Sequence, residues 1–156
     1  TRYIVSSDFM RSRTIERLVE VMKLAKIKTG EQVKVITTDG LQGYPKVLRK
    51  TFGLQSPYHA SSRTKSRITH NVVIASERGF NHKIERLHNS IRERTKIMRG
   101  FGEINSAKFI MKGYEIFYNF CRKHQALNKY PYELATGLIL GNNKWLDLIK
   151  LTKSKK

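Results

Sequence analysis

Two carboxylates stand where acids can do chemistry. Asp39 follows the short, largely apolar run VKVIT at 33–37 and precedes Gly40. Such a run suits a strand buried in a parallel sheet. Open α/β sheets take their ligands just beyond the carboxyl ends of such strands. Glu85 lies in the stretch 81–101, NHKIERLHNSIRERTKIMRGF, which reads as one helix of about five turns. At about 100° per residue, Glu85, His88, Asn89, Arg92, Lys96 and Arg99 share about 100° of arc, and Glu85 is the acid within it. Ile84, Leu87, Ile91 and Met98 form a separate stripe about 60° wide. One face can therefore pack while another presents an acid among cations. The pattern by itself also fits a solvated charged face, and Asp39-Gly40 by itself also fits a plain turn.

Carboxylates on separate elements can converge on Mg²⁺, a hard cation that prefers oxygen ligands and keeps several waters. Two such ions about 4 Å apart activate a nucleophile and stabilise the leaving oxygen of a phosphodiester. A basic surround would hold the DNA backbone. Histidine offers no better site: His59, His70, His82, His88 and His124 lack a spacing such as His-Glu-x-x-His. No serine-nucleophile motif is present. The single cysteine, Cys121, excludes an internal disulfide and a cysteine-based zinc site. It sits in an apolar helical pattern and reads as a small buried hydrophobe.

The totals agree with a polyanion partner. The 156 residues suit about one domain with a real core. Thirty-one Lys and Arg against twelve Asp and Glu give a net charge of +19. A folded chain this basic normally meets nucleic acid. A membrane surface is the competing anion, but no stretch approaches the roughly 20 apolar residues of a spanning helix, and neither a lipidation signal nor a secretory signal is seen.

The elements that must position the two acids follow from pattern. Residues 1–9 start in β-formers and suit a strand. Thr14 suits the N-cap of a helix to about Lys28, with Ile15, Leu18, Val19, Met22 and Ala25 on one face and Gly30 as its stop. With the strand at 33–37 this makes a strand–helix–strand crossover unit. Residues 44–52 read as a short helix with Pro45 in its first turn. The stretch 55–67 reads as a strand into a loop where Arg63, Lys65 and Arg67 alternate with Thr and Ser, a composition suited to phosphate contact. Val72, Val73 and Ile74 lie in a short apolar run. A helix from about Asn105 to Arg122 is expected to be pressed from two sides. Its wet strip would be Lys108, Lys112, Glu115 and Asn119. A turn, Pro131 and a short helix follow, and then a segment with Trp145, Leu146, Leu148 and Ile149 that ends in a Lys-rich tail expected to be disordered.

Four motifs in order resemble the core of insertion-sequence transposases of the DDE type: TTDG at 37–40, N-x-x-E-R-x-H-x-x-I-R-x-R-x-K-x-x-R-G-F from Asn81, Y-N-F-x-R-x-H-x-A-L from Tyr118, and P-x-E-L-A-x-G from Pro131. The resemblance covers nearly all of residues 1–138. It implies an α/β fold, a partial ribonuclease H-like core with a mixed sheet flanked by helices, and a basic C-terminal extension at 139–156, partly disordered. It implies DNA transposition, integration and recombination by metal-dependent strand cleavage and transfer. Two Mg²⁺ or Mn²⁺ ions would sit on an Asp-Asp-Glu triad. Asp39 matches the second Asp and Glu85 the Glu. Arg92, two turns beyond Glu85, matches a basic residue near the reacting phosphate. His88, Lys96, Arg63, Lys65 and Arg67 are the further DNA-contact candidates. Asn81 matches the Asn before the Glu, while Asn119, Arg122 and His124 match a stretch read as structural. Transposon ends and target DNA are the implied partners, without a membrane, and a homo-oligomer on DNA is implied. The implied location is cytoplasmic, at the nucleoid of a prokaryote.

Two departures from the family pattern shape the expectation. Residues 1–9 resemble the third strand of the core, so the first two strands and the leading Asp are expected to be missing. Asp8 follows that strand and is a poor substitute. The stretch between Asp39 and Glu85 is longer than in compact members, with the excess at 61–76. A chain with two of three metal ligands is expected to be incomplete for strand transfer by itself. The other readings are a non-catalytic basic nucleic-acid-binding module or decayed transposase remnant, and a ribosomal-type RNA-binding protein.

Overall fold

The computed structural model describes residues 1–10, 12–30, 33–53, 68–73, 82–98 and 101–153. Arg63, Lys65 and Arg67 lie outside the described residues, as do Asn81, Arg99, most of the long 61–76 stretch and the last three residues of the Lys-rich tail.

Helix α1 spans Ile15–Thr29. Thr14 caps it by accepting from the Arg17 amide at 3.4 Å, and Glu16 and Lys26/Lys28 complement its dipole at the two ends. Gly30 ends it with φ 61°, a left-handed value that glycine takes at little cost. The face Ile15, Leu18, Val19, Met22 and Ala25 is withdrawn from solvent as its spacing predicts. It packs on α2, Tyr44–Phe52, whose Val47, Leu48 and Thr51 are buried. Full burial of Val47 and Leu48 contributes about 1.5–3 kcal/mol each. Lys26 Nζ joins the two helices, donating to the Thr51 carbonyl at 3.0 Å and lying over the Phe52 ring.

Strand β1, Val35–Thr38, pairs in parallel with β2, Thr69–Val72, in the register Val35↔Thr69 to Thr38↔Val72. These form the sheet of the described residues. A deeply buried parallel strand is not what forms: Val35 is 54% exposed, and Thr38 is the buried residue of β1. Among the described residues α1 and α2 pack on each other rather than on the sheet.

Residues 1–10 form no strand. Their backbone finds a side chain instead. Asn119 Oδ1 accepts from the Ile4 amide at 2.8 Å, while its Nδ2 donates to the Ile4 carbonyl at 2.9 Å. A single amide thus supplies the donor and acceptor that a neighbouring strand would. Tyr3 meets Phe120 edge-on at 6.0 Å, and Phe9 meets Phe101 at 5.3 Å.

Helix α3 spans His82–Ile97 and α4 spans Ile104–Ile116. The chain continues into a π-helical turn, Phe117–Cys121, closed by the Arg122 amide on the Phe117 carbonyl at 2.9 Å. One wider turn shifts the helix faces. Glu115 and Asn119, expected on the wet strip, are buried, at 8% and 1% exposure, while Phe109 is 78% exposed. The second apolar side of this helix is thus largely uncovered. Ala107, Tyr114 and Tyr118 form its core with Pro131 and Tyr132 of the short α5, Pro131–Ala135. Phe120 stacks on Tyr132 at 5.5 Å.

Glu115 ties three elements. It accepts from Ser7 Oγ at 2.7 Å, from Lys112 Nζ at 3.0 Å and from Lys28 Nζ at 3.2 Å. Burial alone would raise its pKa, but these donors together hold the carboxyl below the ordinary glutamate range. The C-terminal extension is helical over Lys144–Lys153, helix α6. Its Asp147 accepts from the Gly141 amide at 2.7 Å, and Lys144 lies over the Tyr130 ring. The fold is thus a mixed one, mostly helical with a small parallel sheet. No helix among the described residues is long and apolar enough to cross a membrane.

Candidate active site

Asp39 emerges at the carboxyl end of β1 and is exposed. Its Oδ1 accepts from the Leu41 amide at 3.3 Å, the short-range bond of an Asx turn. Its second oxygen has no hydrogen bond among the described residues. The backbone beside it is held from the sheet. Thr38 Oγ1 lies 2.8 Å from His70 Nε2 on β2 and 3.1 Å from the Asp39 carbonyl. With Nε2 protonated, the hydroxyl accepts from His70 and donates to Asp39, which satisfies the buried group in both directions. The Val73 amide also donates to the Thr38 carbonyl at 2.9 Å. Tyr44 at the start of α2 lies within the field of this acid. Burial first, and then the Asp39 carboxylate, push its phenol up, while Arg13 pulls it down.

His70 is therefore a support of the Asp39 backbone that sequence reasoning missed. His70 sits in a motif-free stretch, where its sequence context marks no role for it. The cross-strand register brings its ring to Thr38, and no local spacing announces that.

Glu85 sits in the first turn of α3 and is half-buried. The amino-terminal end of a helix favours a negative charge there. No described residue donates to its carboxylate. The orientation of α3 is set from the other side. Ser90 Oγ meets Tyr114 Oη at 2.6 Å, and the Arg94 guanidinium lies 4.6 Å from the Phe117 ring centroid and 5.6 Å from that of Tyr114. Ile91 and Met98 line a groove of about 480 Å³ against α4 and Trp145. Ile84 and Leu87 line another with residues 1–6 and α1. The predicted apolar stripe thus lines two grooves, with Leu87 and Ile91 half-buried and Ile84 and Met98 still exposed. The opposite face turns outward, and His88, Arg92 and Lys96 are all exposed beside Glu85.

Both acids are oxygen donors of the kind that hard divalent cations prefer. They stand on separate elements, the end of β1 and the start of α3. Among the described residues, no three of His, Cys, Asp and Glu converge on a point that could hold a metal ion. Asp8 is engaged elsewhere: its Oδ1 accepts from the Phe9 amide and lies 3.9 Å from Lys108 Nζ on α4. Cys121 is a free thiol that burial pushes up in pKa, with Lys144 pulling the other way, so it is a poor nucleophile. Asn119 has the structural role its motif suggests, because it clamps Ile4.

Comparison with known proteins gives one result that spans these residues. A family model described as a DDE domain, of the IS240 transposase type, matches residues 10–124. No curated protein and no solved structure gave a match. The matched span contains Asp39, Glu85, His88, Arg92 and Lys96, and it ends at His124.

Proposed function

The chain belongs to the DDE domain family of insertion-sequence transposases, and from that premise we propose that Asp39 and Glu85 are two of its acidic metal ligands. Transposases of this family carry out DNA transposition, so DNA is the substrate class, and their domains usually use divalent metal ions. One observation supports the residue assignment above others. Asp39 stands just past the carboxyl end of a parallel strand, Glu85 stands in the first turn of a helix with His88, Arg92 and Lys96 exposed beside it, and both lie within the matched span.

In this reading the fold is a partial ribonuclease H-like core over residues 1–138, followed by the extension 139–156. Mg²⁺ or Mn²⁺, when bound, activates the attacking hydroxyl and stabilises the leaving oxygen of the phosphodiester. The chain's own residues position and neutralise. Thr38 and His70 hold the backbone of Asp39. The Asx turn keeps one Asp39 oxygen on Leu41 and leaves the other for a ligand. Packing of Ser90 and Arg94 on α4 turns Glu85 outward. Arg92, His88 and Lys96 then face the DNA backbone near that acid, and Arg63, Lys65 and Arg67 supply further phosphate contacts. Two carboxylates hold an ion pair poorly, so strand transfer needs a third acid beside them. The intact family works in this reading as a homo-oligomer on DNA at the nucleoid.

The test is metal binding read without turnover. Mn²⁺ added to the ¹⁵N-labelled chain should broaden amides near Asp39 and Glu85, and Asp39→Asn with Glu85→Gln should abolish that broadening. DNA binding by the double variant should stay near normal. Broadening that persists unchanged in the double variant sinks the assignment. No broadening in the parent chain leaves a DNA-binding module without metal chemistry.

A further inference from the structure

A second basic site lies away from the Glu85 face. A cavity of about 180 Å³ opens between α3, the π-helical turn and the first residues of the chain. Arg2, Arg86, Arg122, His124, Tyr118 and Ser90 line it, and no carboxylate does. Among the described residues, none of the three guanidiniums is paired with an acid. Arg86 is one residue beyond Glu85, about 100° round the helix, so it leaves the Arg92 face and joins this cavity.

The convergence is visible in the contacts. Arg2 Nη1 lies 3.2 Å from His124 Nε2. A guanidinium can only donate, so Nε2 is the acceptor and the ring is neutral with its proton on Nδ1. That Nδ1 is sealed from solvent and has no hydrogen-bond partner among the described residues. Burial first, and then Arg2, Arg122 and Arg86, push the His124 pKa down, so all three cations act on this one ring. The Arg122 guanidinium lies 5.6 Å from the Tyr118 ring centroid. Arg2 is held with φ 56°, a left-handed value uncommon outside glycine. The Asn119 clamp on Ile4, two residues later, fixes the segment that carries it.

Like charges gathered around an acid-free cavity repel one another, and a bound anion reverses that cost. Guanidinium forks match tetrahedral oxyanions. We infer that Arg2, Arg86 and Arg122 form a binding site for a phosphate or phosphate monoester, separate from the Asp39 and Glu85 carboxylates. A monoester suits the site better than a backbone diester, since it carries more charge and three free oxygens for three guanidiniums. Its source is either the terminal phosphate of a DNA strand or free phosphate.

The experiment is a titration of the full ¹⁵N-labelled chain with inorganic phosphate, in a buffer free of other oxyanions. Saturable shifts at Arg86, Arg122 and the His124 ring are expected. Arg86→Gln and Arg122→Gln should each weaken binding about tenfold, the loss of one charge-assisted pair. Lys150→Gln, at an exposed lysine of α6 that does not line the cavity, should leave it unchanged. Arg86 is exposed and makes no described stacking contact, so its variant tests the site even if the Arg122 variant unfolds. Paired oligonucleotides with a 5′-phosphate or a 5′-hydroxyl identify the source. Tighter binding of the phosphorylated strand, lost in Arg86→Gln, supports a DNA end. Equal binding of both strands, with inorganic phosphate still saturating, supports free phosphate. No saturable shift, or equal shifts in Arg86→Gln and the parent, overturns the site.

Discussion

Asn119→Ala tests how the amino-terminal segment is held. Asn119 is 1% exposed, and its amide makes two hydrogen bonds to the Ile4 backbone, at 2.8 and 2.9 Å. Each bond contributes about 1 kcal/mol net. Truncation also leaves a small void, while half-buried Ile4 regains some water. The sum is a loss of about 2–3 kcal/mol. For a chain of this size that lowers the melting temperature by about 4–12 °C. Urea melts give the free energy, and hydrogen exchange of the Ile4 amide gives the local effect. Asn119→Asp sharpens the test. Its carboxylate can still accept from the Ile4 amide but faces the Ile4 carbonyl with no proton to donate. It should be least stable at neutral pH and recover as the pH falls from neutral towards the ordinary aspartate value of about 4, because burial favours the protonated acid, which regains a donor. If Asn119→Ala stays within about 0.5 kcal/mol of the parent, with Ile4 exchange unchanged, the clamp carries no stability.

Two further outcomes follow from the charges. The Glu115 carboxyl is depressed in the folded chain, so its stabilisation is present above the ordinary glutamate pKa of about 4.3 and is lost as pH falls through the lower folded value. Glu115→Gln should flatten that acid limb in melts taken across pH, and an unchanged limb would assign it to other carboxylates. Arg92→Ala should weaken DNA binding and lower the slope of log affinity against log salt by about 1; an untouched slope removes Arg92 from the DNA backbone.

Local pattern reached far into this fold. The face Ile15, Leu18, Val19, Met22 and Ala25, the Thr14 cap and the Gly30 stop were all legible, because a helix period and its caps lie within a few residues. The stripe Ile84, Leu87, Ile91 and Met98 was legible as the side of α3 that lines grooves against the rest of the chain, though Ile84 and Met98 stay exposed, and Glu85 shares another face with His88, Arg92 and Lys96. The positions of Asp39 after a strand and Glu85 in a basic helix were read directly from residue order.

What failed depended on contacts between distant residues. Residues 1–9 carry strand-forming side chains, yet their pairing partner is a side-chain amide 115 positions away. Glu115 and Asn119 look like the wet strip of an ideal helix, but Ser7, Lys28 and Ile4 supply the partners that let them be buried. The Thr38–His70 support of Asp39 arises from strand register. The cavity of Arg2, Arg86 and Arg122 draws on three separate segments. Periodicity and charge determined the elements and the candidate acids, because those signals are carried by near neighbours in the chain. Only the tertiary structure decided which polar groups are satisfied and which cations converge, because a hydrogen bond or a charge cluster leaves no period in the sequence.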